Sequence, residues 1–451
     1  MHKYQITCPN RRRRVICIGL DGTPYSLLQQ MFQLGWLKNL RQLASTGTSQ
    51  PMTSVFPTVS SVAWTTCTTG CNPGRHGIFG FLDRKPDTME LFIPTAKDCC
   101  QMNIWTVLKQ NGLNSVSINL PLTYPPASDG IQISGFLCTD LSKCVWPKRL
   151  LPQLFRCNYI IDVDTALARE NLDEFYQSLH RAIDARFDIA EWIWHREPWD
   201  YFHLHIMESD RFFHFFMQED DKDISGWDRL RDLYEHLDHR MSWIINQVAQ
   251  GDLVFILSDH GFCPLRSEVN LNEFLHSRGY LYPGSAPSEG LSNIRSDSLV
   301  YSLTPGRIYL NQMGREKYGR VMPGEESDRI LMTLKDELLN LRGPYGEQVI
   351  AEVRYKNQLY QGEKTSMAPD AIAIPCDGFD LKGNFGIQPL WDKQTMKGMH
   401  TYNNATFICS EGLSSDRCIN LLDFFPTALD HLGITLLTES EGRSLKRSLN
   451  E

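Results

Sequence analysis

Asp259 and His260 stand side by side at the end of the apolar run LVFILSD (253–259), with Gly261 after them. A carboxylate and an imidazole from neighbouring residues at one sheet edge are both good zinc ligands. A second run of this kind, VICIGLD (15–21), ends in Asp21 with Gly22 behind it. Asp-Gly after a buried strand also makes a plain turn, so Asp21 gains meaning only beside the other acids. In ESDRFFHFF (208–216), Asp210 and His214 are four residues apart. On a helix they share one face and can grip one ion, although an isolated pair also reads as a capping Asp with a half-buried His. His400 stands in MKGMHTYNN (396–404), a loop of small and polar residues that leaves a ligand position accessible.

A hydroxyl nucleophile is on offer in SVFPTVSSVAWTTCTTGCNPGRHG (54–77). Pro57 closes an extended stretch, and Ser60 or Ser61 then stands where a helix begins, running from about Val62 to Thr69 before Gly70. The positive end of the helix dipole favours an alkoxide and an anionic phosphate there, and an ordinary N-cap serine would occupy the same place. Serine needs a base or a metal before it can attack phosphorus. No histidine has the local spacing of a Ser-His-Asp system, and no GxSxG elbow occurs. Activation is left to metal, and two ions can hold the attacking and leaving oxygens of an in-line displacement. Asp and His ligands without Cys suit zinc; manganese or iron would also fit. His203 and His205 alternate along one strand and read as packing or supporting residues. In NPGRHG (72–77), Gly74 and Gly77 free the backbone and His76 reads as architectural.

These residues need a frame that brings them together. Short β-branched runs alternate with helical patterns, the sign of a parallel sheet with helices on both faces. The clearest strands are VICIGLD (15–21), SVSINLP (115–121), YFHLHIM (201–207) and LVFILSD (253–259), and ligands collect beyond the C-terminal ends of such strands. A helix is expected from about Asn171 to Arg196, ending before Pro198. After Phe262 the character changes: PGSAPSEGLSNIRSD (283–297) is a loop, and 302–365 mixes short strands with a helix at about 326–341. The expected organisation is a catalytic core (1–262), a smaller α+β cap insertion (263–367) and a second core part (368–451) that resumes with PDAIAIP (369–375) and closes with NLLDFFPTALDHLGI (420–434).

A chain of 451 residues has room for a large α/β core with an insertion. Hydrophobic residues at 42% and charged residues at 22% are the balance of an ordinary soluble protein. A net charge of −8 argues against a nucleic-acid polymer as partner. The basic run Arg11 to Arg14 reads as a solvated arm. Val15 to Leu20 is too short for a signal-peptide core, and no window approaches the roughly 18 apolar residues of a membrane helix. Thirteen cysteines without a CxxC pair read as reduced thiols, which together points to the cytosol.

With these pieces in order, the chain resembles the type I phosphodiesterase/nucleotide pyrophosphatase family of the alkaline phosphatase superfamily. The resemblance runs from about Val15 to Leu445 through GLDG, AWTTCTTGCNPGRHGIFGF (63–81), DRFFHFF, SDHGF, VNLNEFL (269–275), GRIYLNQMGRE (306–316), APDAIAIP and DFFPTALDHLGI. It implies an alkaline-phosphatase-like sheet and selects Ser60 over Thr58 and Ser61 as nucleophile. It further implies that Asp21, Ser60, Asp259 and His260 surround one metal ion, and that Asp210, His214 and His400 hold the second. A small-molecule phosphodiester or phosphoanhydride would be cleaved through a phospho-Ser60 intermediate. Ser stands where phosphodiesterase relatives more often carry Thr. Phe81 stands where eukaryotic-type relatives place an Asn, which shifts the expectation from nucleotides toward a lipid, glycerol or sugar phosphodiester. The rivals are a phosphotransferase, mutase or phosphomonoesterase of the same superfamily, and a catalytically silent binding module. Oligomeric state is not encoded in any of these signals.

Overall fold

Every residue of the strands Val15–Leu20, Tyr201–Ile206 and Leu253–Leu257 is buried. Near-continuous apolar runs of this kind need cover on both faces, which helix layers on a parallel sheet provide. The computed structural model describes residues 4–6, 13–284, 287–386, 388–392, 395–413, 417–436 and 441–446. It places these three strands in the middle of a nine-stranded sheet. The order is Ile419–Asn420, Thr48–Thr53, Ala405–Cys409, Leu253–Leu257, Val15–Leu20, Tyr201–Ile206, Ser115–Ile118, Ile131–Ile133 and Val145–Trp146. The five strands from Leu253–Leu257 to Ile131–Ile133 run parallel, so their C-terminal ends share one edge. Ala405–Cys409 adds an antiparallel partner on one side and Val145–Trp146 on the other.

Strand alternation sends side chains to two cores. Ile16, Ile18 and Leu20 pack with Phe187 and Leu233 on one face, while Val15 and Cys17 pack with Trp64 and Leu429 on the other. The expected long helix is Leu172–Arg196, and the Asn171 side chain caps it by accepting the Glu174 N–H. The chain is thus an α/β protein with a mostly parallel central sheet between helices.

Two further sheets follow the core strands. Val300–Leu303, Arg307–Leu310, Ala371–Pro375 and Ile350–Tyr355 form one, and Phe379–Lys382, Ser267–Asn270 and Trp391–Asp392 form the other. They share an apolar cluster with the helix Glu325–Leu339 through Leu334 and Leu338. Ala371–Pro375, read from the sequence as the start of the second core part, pairs antiparallel with Arg307–Leu310 and Ile350–Tyr355. The arm expected at Arg11 to Arg14 is partly outside the described residues. Its last residue is tied down, with Arg14 Nη2 2.5 Å from Asp252 Oδ2 and the guanidinium over the Trp199 ring.

Candidate active site

Three adjacent parallel strands deliver the acids. Val15–Leu20 leads directly into Asp21 and then Gly22, whose φ of 67° and whose closeness to the Phe262 ring, which an added Cβ would strike, both require glycine. The Gly22 N–H donates to Asp259 Oδ1 at 3.1 Å, joining two strand ends. Tyr201–Ile206 runs into the helix Glu208–Phe216, which carries Asp210 and His214 on one face. Leu253–Leu257 leads to Asp259 and His260.

His400, expected in a loop, lies on the short strand Gly398–Thr401, antiparallel to Gly261–Pro264 and opposite Phe262. That pairing fixes it against His260, with the two rings stacked 3.7 Å apart.

The helix Ser60–Thr69 has Val59 as its N-cap, so Ser60 is the first helical residue rather than the cap. Its side chain is therefore free to face the acids: Oγ lies 3.2 Å from Asp21 Oδ1 and 3.3 Å from His260 Nε2. Thr58 Oγ1 instead donates to the Val55 carbonyl, and Ser61 Oγ is buried without a hydrogen-bond partner.

All seven side chains singled out from the sequence converge. One ligand atom from each of Asp21, Asp259 and His260 lies within 4.8 Å of the others, and the same holds for Asp210, His260 and His400. His260 thus belongs to both groups. His214 Nε2 faces Asp210 Oδ1 at 3.5 Å and His400 Nε2 at 3.1 Å.

Each of the three imidazoles has Nδ1 against a backbone carbonyl: His260 on Gly261 at 3.1 Å, His214 on Gly398 at 3.3 Å and His400 on Thr58 at 3.1 Å. A carbonyl only accepts, so Nδ1 carries the hydrogen and Nε2 turns toward the carboxylates, the arrangement of a metal-ligating histidine. Burial pushes His260 down to about 3 and His214 down to about 4. His400 moves up, because its contact with Asp210 outweighs burial. Burial and the neighbouring Asp21 charge push Asp259 well above the usual carboxylate range.

Around Ser60 Oγ the acceptors outnumber the hydrogens. Asp21 Oδ1 and His260 Nε2 both face it, and Asp259 Oδ2, 3.3 Å from the same His260 nitrogen, is buried with no hydrogen-bond partner. A buried surplus of acceptors and negative charge is costly without a cation, so this donor set fits a divalent ion.

A cavity of about 1170 Å³ opens beside these groups, lined by Thr58, His214 and His400 together with Phe81, Arg354 and Lys382. Phe81 meets Phe136 edge-on there, at 5.1 Å between ring centroids. His76 is architectural as expected: it is fully buried, with Nε2 3.0 Å from Thr66 Oγ1 and Nδ1 accepting the Ile78 N–H.

Sequence reasoning missed Arg211 and Trp64. Arg211 bonds Asp210 Oδ2 at 2.9 Å and Asp162 Oδ2 at 2.7 Å, and adjacency to Asp210 was its only signal. Trp64, one helical turn after Ser60, reaches Asp21.

A model of the family described as type I phosphodiesterase / nucleotide pyrophosphatase matches residues 15–403. No curated protein matches the chain. Among solved structures, the phosphonoacetate hydrolase of Sinorhizobium meliloti 1021 in complex with phosphonoacetate superposes with a TM-score of 0.62 at 14% identity, covering 96% of this chain and 100% of that one. Human ectonucleotide pyrophosphatase/phosphodiesterase 5 gives 0.58 at 15% identity, covering 95% and 97%. Its murine counterpart in complex with AMP gives 0.55 at 15% identity, with the same coverage. At these identities the likeness speaks for the fold.

Proposed function

The chain belongs to the type I phosphodiesterase/nucleotide pyrophosphatase family, and from that membership we propose that it cleaves a small-molecule phosphodiester or phosphoanhydride by attack of Ser60 on phosphorus, at a site for two divalent ions. The family makes it a phosphoester hydrolase; the nucleophile, the ions and the residue roles are the proposal.

The observation that carries it is the convergence on Ser60 Oγ of Asp21 Oδ1 at 3.2 Å and His260 Nε2 at 3.3 Å, both buried, with only the serine hydrogen between them. Asp21, Asp259 and His260 would hold one ion beside Ser60, and Asp210, His214 and His400 the other. When bound, the ions supply positive charge that favours the serine alkoxide and offsets charge growing on the phosphoryl oxygens. Zinc suits the Asp/His donors.

Ser60 heads its helix, so the positive end of the dipole faces the incoming phosphate. Ser60 Oγ forms the bond to phosphorus as the ester or anhydride oxygen leaves with its electron pair. Water then displaces Ser60 from phosphorus and the serine hydroxyl is restored. The segment 263–367 serves in this reading as a cap that sets specificity. Among the described residues no helix is long and apolar enough to cross a membrane, and the described cysteines other than Cys71 are free thiols. Free thiols are the state a reducing compartment maintains, so a cytoplasmic location is part of the proposal.

The test is metal content together with hydrolysis of nitrophenyl phosphate monoester and diester substrates. We expect two ions per chain, diester preference, and a kcat lower by roughly 10³-fold or more in Ser60→Ala with both ions retained. Metal-free protein, or full activity without Ser60, sinks the mechanism.

A further inference from the structure

Asp21 presents its two carboxylate oxygens to different neighbours. Oδ1 lies 3.2 Å from Ser60 Oγ and 3.6 Å from His260 Nε2. Oδ2 accepts the Trp64 indole N–H at 2.9 Å, and His205 Nε2 lies 3.2 Å from it as a close ion-pair contact outside hydrogen-bond geometry. All of these side chains are buried.

The two groups on Oδ2 come from different elements. Trp64 sits four residues after Ser60 on the same helix, so both point to one side of it. His205 lies on the strand Tyr201–Ile206, beside the Asp21 strand and in register with Gly19. A Cβ at Gly19 would fall 2.7 Å from Trp64 Cη2 and 2.9 Å from His205 Nδ1, so a glycine two residues before Asp21 makes the room for both rings. The rings meet edge-on, with centroids 4.8 Å apart. One carboxylate oxygen thereby ties together the nucleophile helix, the Asp21 strand and the strand that leads to Asp210.

We propose that Trp64 and His205 are positioning residues that hold Asp21 by Oδ2 and so reserve Oδ1 for Ser60 and the ion beside it. The proposal rests on the metal-dependent reading above. A carboxylate without such partners can rotate or offer both oxygens to one ion; a pinned carboxylate offers one oxygen in a fixed direction. Outer hydrogen bonds of this type set ligand orientation in metal sites, and losing one costs roughly 10–100-fold in metal affinity or activity.

The test strips the protein of metal and titrates it with Zn²⁺ against a competing chelator. Trp64→Phe keeps the ring and loses the N–H. It should weaken one of two zinc ions roughly 10–100-fold and lower kcat on a nitrophenyl phosphodiester with KM little changed. The unfolding temperature of the metal-free protein should fall only modestly, by less than the loss of zinc affinity requires. His205→Leu should behave like Trp64→Phe, while His205→Gln, which keeps an N–H able to reach Oδ2, should hold near-wild-type zinc affinity. Two zinc ions bound with wild-type affinity by both Trp64→Phe and His205→Leu overturn the positioning role alone. So do losses that merely follow the unfolding temperature, the mark of a packing role. A wild-type protein that binds no zinc overturns this proposal and the metal-dependent reading together.

Discussion

Under the proposed mechanism, Asp259 shows what a single residue gives up for chemistry. Burial and the Asp21 charge make its carboxylate unfavourable, and its Oδ2 has no hydrogen-bond partner. Replacing it by Asn removes a carboxyl whose charged form burial disfavours, yet keeps an oxygen for the Gly22 N–H that now reaches Oδ1. Metal-free Asp259→Asn should therefore be more stable than wild type, by about 1–3 kcal/mol. With excess zinc the order should reverse, because the wild type alone keeps the full ligand set and gains RT ln(1 + [Zn]/Kd). Unfolding midpoints in EDTA and in zinc check this, and an Asn variant less stable in both would make Asp259 a structural residue. The acids were legible in the sequence because each sits at a strand end or one helical turn from a partner, positions whose geometry is local. Trp64 was not legible as a neighbour of Asp21: its spacing from Ser60 shows the shared helix face, but what that face meets is decided by a strand 43 residues earlier in the chain.

At the scale of elements, the turn after the helix Ser60–Thr69 depends on His76. Nδ1 accepts the Ile78 N–H at 3.1 Å, so the proton of the neutral ring is on Nε2, toward Thr66 Oγ1. Charging the ring would break the Ile78 bond, and burial holds His76 down at about 3. An unfolded histidine titrates near 6.5, so between these values the unfolded chain binds the proton and the folded one does not. The stability is fully present above about pH 6.5 and is lost as pH falls toward about 3. His76→Gln cannot take up this proton, and its unfolding free energy should depend less steeply on pH between 6 and 4. The difference in slope should be about 1.4 kcal/mol per pH unit, read from denaturant unfolding in EDTA. Equal slopes would mean that His76 titrates normally in the folded protein. Element types were largely legible from periodicity, as the helix Leu172–Arg196 shows. Membership in a sheet was not: AIAIP reads as a strand wherever it goes, and only pairing with Arg307–Leu310 and Ile350–Tyr355 assigns it.

Across the whole molecule, the cavity joins walls of different origin. Thr58, His214 and His400 come with the site, whereas Ala351, Arg354 and Lys382 come from the two later sheets. Its volume of about 1170 Å³ slightly exceeds the usual range of small-molecule pockets and is far more than a phosphoryl group needs. If the cap selects substrates, filling its side of the cavity should penalise large esters and spare small ones. Ala351 suits the purpose: it is exposed, lines the cavity and lies on the strand Ile350–Tyr355, away from the acids. Ala351→Trp should lower kcat/KM for a bulky phosphodiester by roughly 10–200-fold, the range that steric discrimination in a pocket spans. For nitrophenyl phosphate monoester the change should be small, because that substrate leaves the cap side empty. Steady-state kinetics on both substrates, with unfolding temperature as a control, decide it. A parallel loss on both would mean that the insertion supports the site without choosing what enters it, and specificity would then have to be sought among Thr58, Phe81 and Arg211, which line the same cavity.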